Sequence, residues 1–162
     1  MDTLVTQLKA LAEPTRLRIV TLLARGELTV SELVQILGQS QPRVSRHLKL
    51  LTDAGVAERM PEGAFVFYRL SENGGGRRLA EVADELAPDD DPVLSRDLRR
   101  LESIKQARAE AAQAYFERAA EDWDTIRKLH LSEDEVETAM RNAAGKGPFG
   151  LMVDVGVGTG RM

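Results

Sequence analysis

Cysteine is absent from the 162 residues. That excludes disulfides, thiolate metal sites and cysteine nucleophiles together. Histidine is nearly absent as well: His47 and His130 are the only two, too few for a histidine-rich metal cluster. Nearly unbroken apolar stretches reach only about six to eight residues, far short of the roughly 20 needed to cross a bilayer. The start, Met1-Asp2-Thr3-Leu4, lacks the basic region and apolar block of a secretory signal, so the expected compartment is the cytoplasm. Aromatic residues make up 4%. Hydrophobic residues make up 43% and charged residues 30%, enough for a core and too apolar for wholesale disorder, and the abundance of Ala and Leu leans helical. The length suits one ordinary domain, or a small domain and part of another.

The net charge of −4 argues weakly against a nucleic-acid partner, but the average hides an asymmetry. Residues 1–70 hold nine Lys/Arg and seven Asp/Glu; residues 71–162 hold thirteen and nineteen. The two parts therefore have opposite sign and are read separately.

Helical spacing of Leu4, Leu8 and Leu11 predicts a first helix over 3–12. Pro14 suits the first turn of a second helix, with Leu17, Ile19, Val20, Leu22 and Leu23, ending near Gly26. Thr29-x-x-Glu32 is a capping box that opens a third helix, closed by Gly38. Ser40 is the expected N-cap of a fourth, which carries Val44, His47, Leu48 and Leu51 inward and ends at Gly55. The period then changes. Residues 56–60 and 65–70 read as strands joined by Pro61-Glu62-Gly63-Ala64, a β-hairpin. Gly74-Gly75-Gly76 reads as a flexible joint before a helix over about 77–86, followed by an acidic break at 88–92. From Val93 to about Arg118 one long amphipathic helix is expected, with further helical text to Leu129 and over 133–143. The last residues, 149–162, read as a strand and a glycine turn.

Two short helices, a tight turn between them and a following hairpin make a winged helix-turn-helix. A helix that enters the major groove must be small and polar at its start, offer cations to phosphates and seat an apolar face on the core. Gln39, Ser40, Gln41, Arg43, Ser45, Arg46 and Lys49 meet the first two demands; Val44, Leu48 and Leu51 meet the third. Gln pairs with adenine edges, Arg with guanine, and Ser with either or with phosphate. The hairpin tip at Gly63 is expected beside the flanking minor groove, with Arg59 and Arg69 near the backbone. The bland alternative is a small helical core with a solvated cationic face. His47 is expected to pack or touch phosphate, and His130 to sit near a helix end.

The stretch Leu8-Lys9-Ala10-Leu11-Ala12-Glu13-Pro14-Thr15-Arg16-Leu17-Arg18-Ile19, the helix Ser40-Gln41-Pro42-Arg43-Val44-Ser45-Arg46-His47-Leu48-Lys49 and the hairpin ending Phe67-Tyr68-Arg69-Leu70 resemble the ArsR/SmtB family of bacterial repressors over about residues 3–86. The resemblance implies a homodimer that binds a palindromic operator and releases it when an effector binds. Metal-sensing members place cysteines in the third helix, where this chain has Thr29 and Ser31, and no His lies between 48 and 129 to build the other known site. No metal site is therefore expected. The apolar stripes of the first helix and of 93–119 are expected to form the dimer interface, with Leu94, Leu98, Leu101 and Ile104 buried in it.

The closing Val153-Asp154-Val155-Gly156-Val157-Gly158-Thr159-Gly160 differs in spacing from the dinucleotide fingerprint. It resembles the first motif of class I S-adenosylmethionine-dependent methyltransferases, which implies Asp154, Gly156, Gly158 and Gly160 as cofactor-binding residues. Only eight residues follow Asp154, whereas the rest of such a domain needs on the order of 150. No catalysis and no cofactor binding are expected of these 162 residues; S-adenosylmethionine or S-adenosylhomocysteine would be a ligand of a longer protein.

The expected architecture is mainly α with a β-hairpin wing. A DNA-binding winged helix-turn-helix occupies 1–86, a linker and long dimerisation helix 87–121, and the start of a truncated α/β methyltransferase-like domain 122–162. The leading function is an operator-binding transcriptional regulator that acts as a homodimer. The alternatives are a methyltransferase whose winged helix serves targeting or dimerisation, and a winged helix that binds protein rather than DNA.

Overall fold

The computed structural model describes residues 1–72, 75–88, 90–130, 138–139, 141–143 and 145, with the backbone alone for 119–130. The chain forms two compact units, residues 1–106 and 107–162.

In the first unit the order is α1 (Asp2–Leu11), α2 (Pro14–Leu23), β1 (Leu28–Thr29), α3 (Val30–Leu37), α4 (Gln41–Asp53), β2 (Ala57–Glu62), β3 (Phe65–Leu70), α5 (Gly75–Glu85) and the beginning of α6 (Pro92–His130). Each start has a local cause. The Glu13 carboxylate accepts from the Arg16 amide at 2.9 Å and caps α2, with Pro14 in the first turn. Thr29 and Glu32 form the reciprocal capping box at the head of α3. Gly38, at φ +66°, closes α3 in the left-handed conformation, its N–H donating to Val34.

The core joins α2, α3 and α4: Ile19, Val20, Leu22, Leu33, Ile36, Val44, Leu48, Leu51 and Val56 are all fully buried. Burying each such side chain contributes about 1.5–3 kcal/mol. The sheet has order β1-β3-β2, all antiparallel. β1 escapes a reading by periodicity, because two residues carry no period; Leu28 and Thr29 are placed by pairing with Tyr68 and Phe67. β2 runs on through Pro61, which the sequence reading puts in the turn. Proline lacks the N–H that a central strand must donate, but β2 is an edge strand. The turn itself is Gly63-Ala64, with positive φ at Gly63 alone, as a two-residue hairpin with glycine in first place requires.

Two other expectations are corrected. Gly75 and Gly76 are the first residues of α5 rather than a joint. Gly76 is buried, and a Cβ there would come within 2.9 Å of the Val56 Cα and nearer still to the Gly55 carbonyl oxygen. Glycine is present for this backbone contact, not for flexibility. The stripe on α6 also behaves differently: Leu101 and Ile104 are buried in the chain's own core, and Leu98 packs against it. On α1 it is Ala10 and Leu11 that turn inward, while Leu4, Val5 and Leu8 stay exposed.

α6 extends for 39 residues, through the expected boundary at 121–122, because no Pro or Gly interrupts 93–130. In the second unit the rings of Tyr115 and Phe116, both exposed, meet edge-on at 5.8 Å. The strand and glycine turn expected over 149–162 lie outside the described residues.

Candidate nucleic-acid interface

Gly38, Gln39 and Ser40 alone separate α3 from α4, so the pair is a helix-turn-helix. α4 divides cleanly. Val44, Leu48 and Leu51 are fully buried; Gln41, Arg43, Arg46 and Lys49 are exposed. The only acidic residue of α4 is Asp53, in its last turn. Lys49 pairs with it at 2.9 Å. Arg43 and Arg46 have no carboxylate partner among the described residues, so two guanidinium groups stand on an exposed helix face with their donors free for an anion.

Ser40 precedes α4 without capping it through its side chain; its carbonyl accepts from the Arg43 and Val44 amides. Its hydroxyl, like the exposed Gln41 amide, is left for an outside partner. Gln39 is not so placed. Its Nε2 donates to Thr15 Oγ1 at 3.3 Å, which ties the turn to α2, and its Oε1 is buried. Ser45 is half-buried and lines an open cleft of about 430 Å³ between α4 and the hairpin, together with Lys49, Arg59, Val30, Val66 and Tyr68.

The two hairpin arginines differ. Arg59 is exposed and has no carboxylate partner among the described residues. Arg69 is surrounded by carboxylates: Glu58 at 2.6 Å, Glu72 at 2.9 Å and Glu27 at 3.7 Å. Its charge is already compensated, which leaves little for a phosphate. Gly63 sits in the exposed tip.

His47 turns toward α2, where its Nδ1 lies 3.6 Å from the Glu13 carboxylate and has no hydrogen-bond partner among the described residues. Burial pushes the imidazole below its ordinary value; Glu13 opposes this, and Arg16, Arg43 and Arg46 add to the lowering. Burial pushes the Glu13 carboxyl up, but hydrogen bonds from Arg16 and Thr15, with a contribution from His47, hold it below its ordinary value.

The sequence reading missed the contacts that hold α4's platform. Arg18 Nε meets Asp97 at 2.5 Å, and Arg100 donates to the Ile36 carbonyl at 2.7 Å, at the C-terminal end of α3. Asp97 is fully buried. The available signal was its place between Leu94 and Leu101 on an apolar stripe, where an acid needs a buried cation.

With this geometry in view, the likenesses to known proteins are specific. The family model for bacterial regulatory proteins of the arsR family matches residues 13–59. An uncharacterized HTH-type transcriptional regulator, MJ1325 of Methanocaldococcus jannaschii, is 35% identical over 79 residues, which take in 48% of this chain and 88% of that protein. The chain belongs to the arsR family. The arsenical resistance operon repressor of Escherichia coli (strain K12) is 52% identical over 64 residues, 39% of this chain and 55% of that protein. The chain thus spans about half the length of that curated relative. Among solved structures, HlyU from Vibrio cholerae N16961 is 35% identical and covers 52% of this chain and 91% of its own, with a TM-score of 0.49. The arsR-family match starts at Glu13, the cap of α2, and ends at Arg59; it contains all of α4, whereas β3 and α6 lie outside it. Asp154, Gly156, Gly158 and Gly160 lie outside the described residues.

Proposed function

We propose that this arsR-family chain is a transcriptional repressor that binds operator DNA as a homodimer, with α4 in the major groove. The observation that carries the reading is the split of α4: Val44, Leu48 and Leu51 buried beneath, and Arg43 and Arg46 above with no carboxylate partner among the described residues. Ser40 and Gln41 lead this helix toward base edges, and Arg59 adds a cation at the base of the wing. Gln39 serves as a strut, and Arg69 holds the end of the wing to neighbouring carboxylates.

One such helix reads only a few base pairs, whereas two related by a two-fold axis read a palindrome. Leu4, Val5 and Leu8 of α1, each still 41–48% exposed, supply an apolar surface for that axis. Leu101 and Ile104 do not, since they are committed to the core. The name of the Escherichia coli relative speaks of arsenicals. With no cysteine, and with Thr29 at the cap of α3 and Ser31 in its first turn, a thiolate-bound metalloid is poor chemistry for this chain, and a non-metal effector is the better proposal.

Selection from a library of randomised duplexes with the full chain tests the proposal. The expected product is a two-fold symmetric site with half-sites about one helical turn apart. Recovery of unenriched sequence contradicts it. Asp154-x-Gly-x-Gly-x-Gly favours a second reading, in which a longer protein adds an S-adenosylmethionine-dependent methyltransferase to the same winged helix. Calorimetric titration with S-adenosylhomocysteine tests this second reading: saturable heat that is lost on Asp154→Ala supports it, and the absence of binding by a protein that carries the whole domain contradicts it.

A further inference from the structure

The wing is built for a contact that charge cannot supply. From Met60 to Tyr68 there is no lysine or arginine, and Glu62 flanks the turn. A tip of this composition gains nothing from phosphates and is mildly repelled by them. What it offers is a ring. Phe65, the first residue after the Gly63-Ala64 turn, is 64% exposed. Phe67, two residues on and on the same face of β3, stands behind it with ring centroids 6.3 Å apart and planes at 50°. Met60 pairs directly across from Phe67. Phe65 is thus an exposed aromatic residue at the end of a two-residue hairpin, with a second ring behind it. Aromatics are 4% of this chain, so the placement is not the spill-over of an aromatic-rich composition.

The same hairpin borders the cleft to α4 through Arg59, Val66 and Tyr68, on the face of the strands opposite Phe65 and Phe67, so the strands that carry the tip adjoin the proposed DNA face. Resting on that DNA-binding reading, we propose that Phe65 is an apolar wedge that enters the minor groove flanking each half-site, partly unstacks one base step and bends the duplex. Phe67 is a positioning residue that keeps the Phe65 ring extended. The partner chemistry is the sugar and base wall of the groove, not the phosphate. Apolar wedges of this kind open steps that unstack easily, so the flank should favour a pyrimidine–purine step such as TA over a stiff A-tract, at a position no hydrogen bond reads.

The test uses the full chain and duplexes recovered by the selection above, labelled at both ends for energy transfer, with TA or AA at the flank. Wild-type protein is expected to shorten the end-to-end distance and to prefer the TA flank. Phe65→Ala should lose the bend and the flank preference and bind roughly tenfold more weakly, with the salt dependence of binding unchanged, because no phosphate contact has been removed. Phe65→Leu, which keeps an apolar wedge, should keep part of the bend. Equal thermal melts of the variants show that the fold is intact. If Phe65→Ala binds and bends like wild type, the wedge is wrong while the DNA reading stands. If wild-type protein binds no recovered duplex, the DNA reading falls and takes the wedge with it.

Discussion

α4 and the wing each carry arginines in the sequence, yet these arginines end in different electrostatic states. On α4, Arg43 and Arg46 have no carboxylate partner among the described residues. On the wing, Arg69 is held by Glu58, Glu72 and Glu27, and the tip carries Glu62 and an exposed phenylalanine. Counting cations along a sequence overstates the positive surface. Only pairing in three dimensions shows which charges remain for a polyanion. Of these two regions, the helix presents Arg43 and Arg46, and the hairpin presents Arg59 at its base and Phe65 at its tip.

The comparison breaks most severely if α4 loses its seat. Leu48→Ala removes a fully buried side chain and should cost about 2–5 kcal/mol of stability, read by chemical denaturation. It should abolish DNA binding by unfolding. Next in size is the helix's own contribution. Arg43→Ala or Arg46→Ala should each weaken operator binding by about 1–3 kcal/mol, with relaxed sequence preference where the arginine reads a base, and with little change in melting temperature. A smaller effect is expected from pH. The lowered His47 value means that the unfolded chain takes up a proton first, so stability should fall as pH drops below about 6.5. The depressed Glu13 carboxyl continues the trend below its ordinary 4.5, since its contribution is lost as pH falls through the folded value. His47→Gln should flatten denaturation midpoints between pH 7.5 and 5.5; an unchanged slope would remove His47 from this role. Smallest of all, Arg69→Ala should leave the salt dependence of binding as it was, because its charge is internally compensated.

Much of this was legible in the sequence wherever a local rule acts alone. The capping box at Thr29 and Glu32, the closing Gly38 and the apolar positions of α4 follow from spacing and propensity. What spacing cannot carry is long-range pairing. Nothing local distinguishes Arg59 from Arg69, and Glu27, which helps neutralise Arg69, lies 42 residues earlier in the chain. The Arg18–Asp97 pair spans 79 residues. β1 is too short to have a pattern, and Gly76 reads as a joint until the Gly55 carbonyl is seen against it. The same limit applies to Gln39: its position at the head of α4 suits a base contact, and only the fold brings its Nε2 to Thr15 Oγ1, 24 residues away.

The salt dependence of operator binding tests the central claim most directly. A dimer that neutralises about eight phosphates should show log K falling against log salt with a slope of about −7. In the double variant Arg43→Ala/Arg46→Ala, which removes four cations from the dimer, the slope should shrink to about −3.5, while Arg69→Ala keeps the wild-type value. A wild-type slope near zero, or a slope that Arg69→Ala reduces and the double variant does not, would contradict the account.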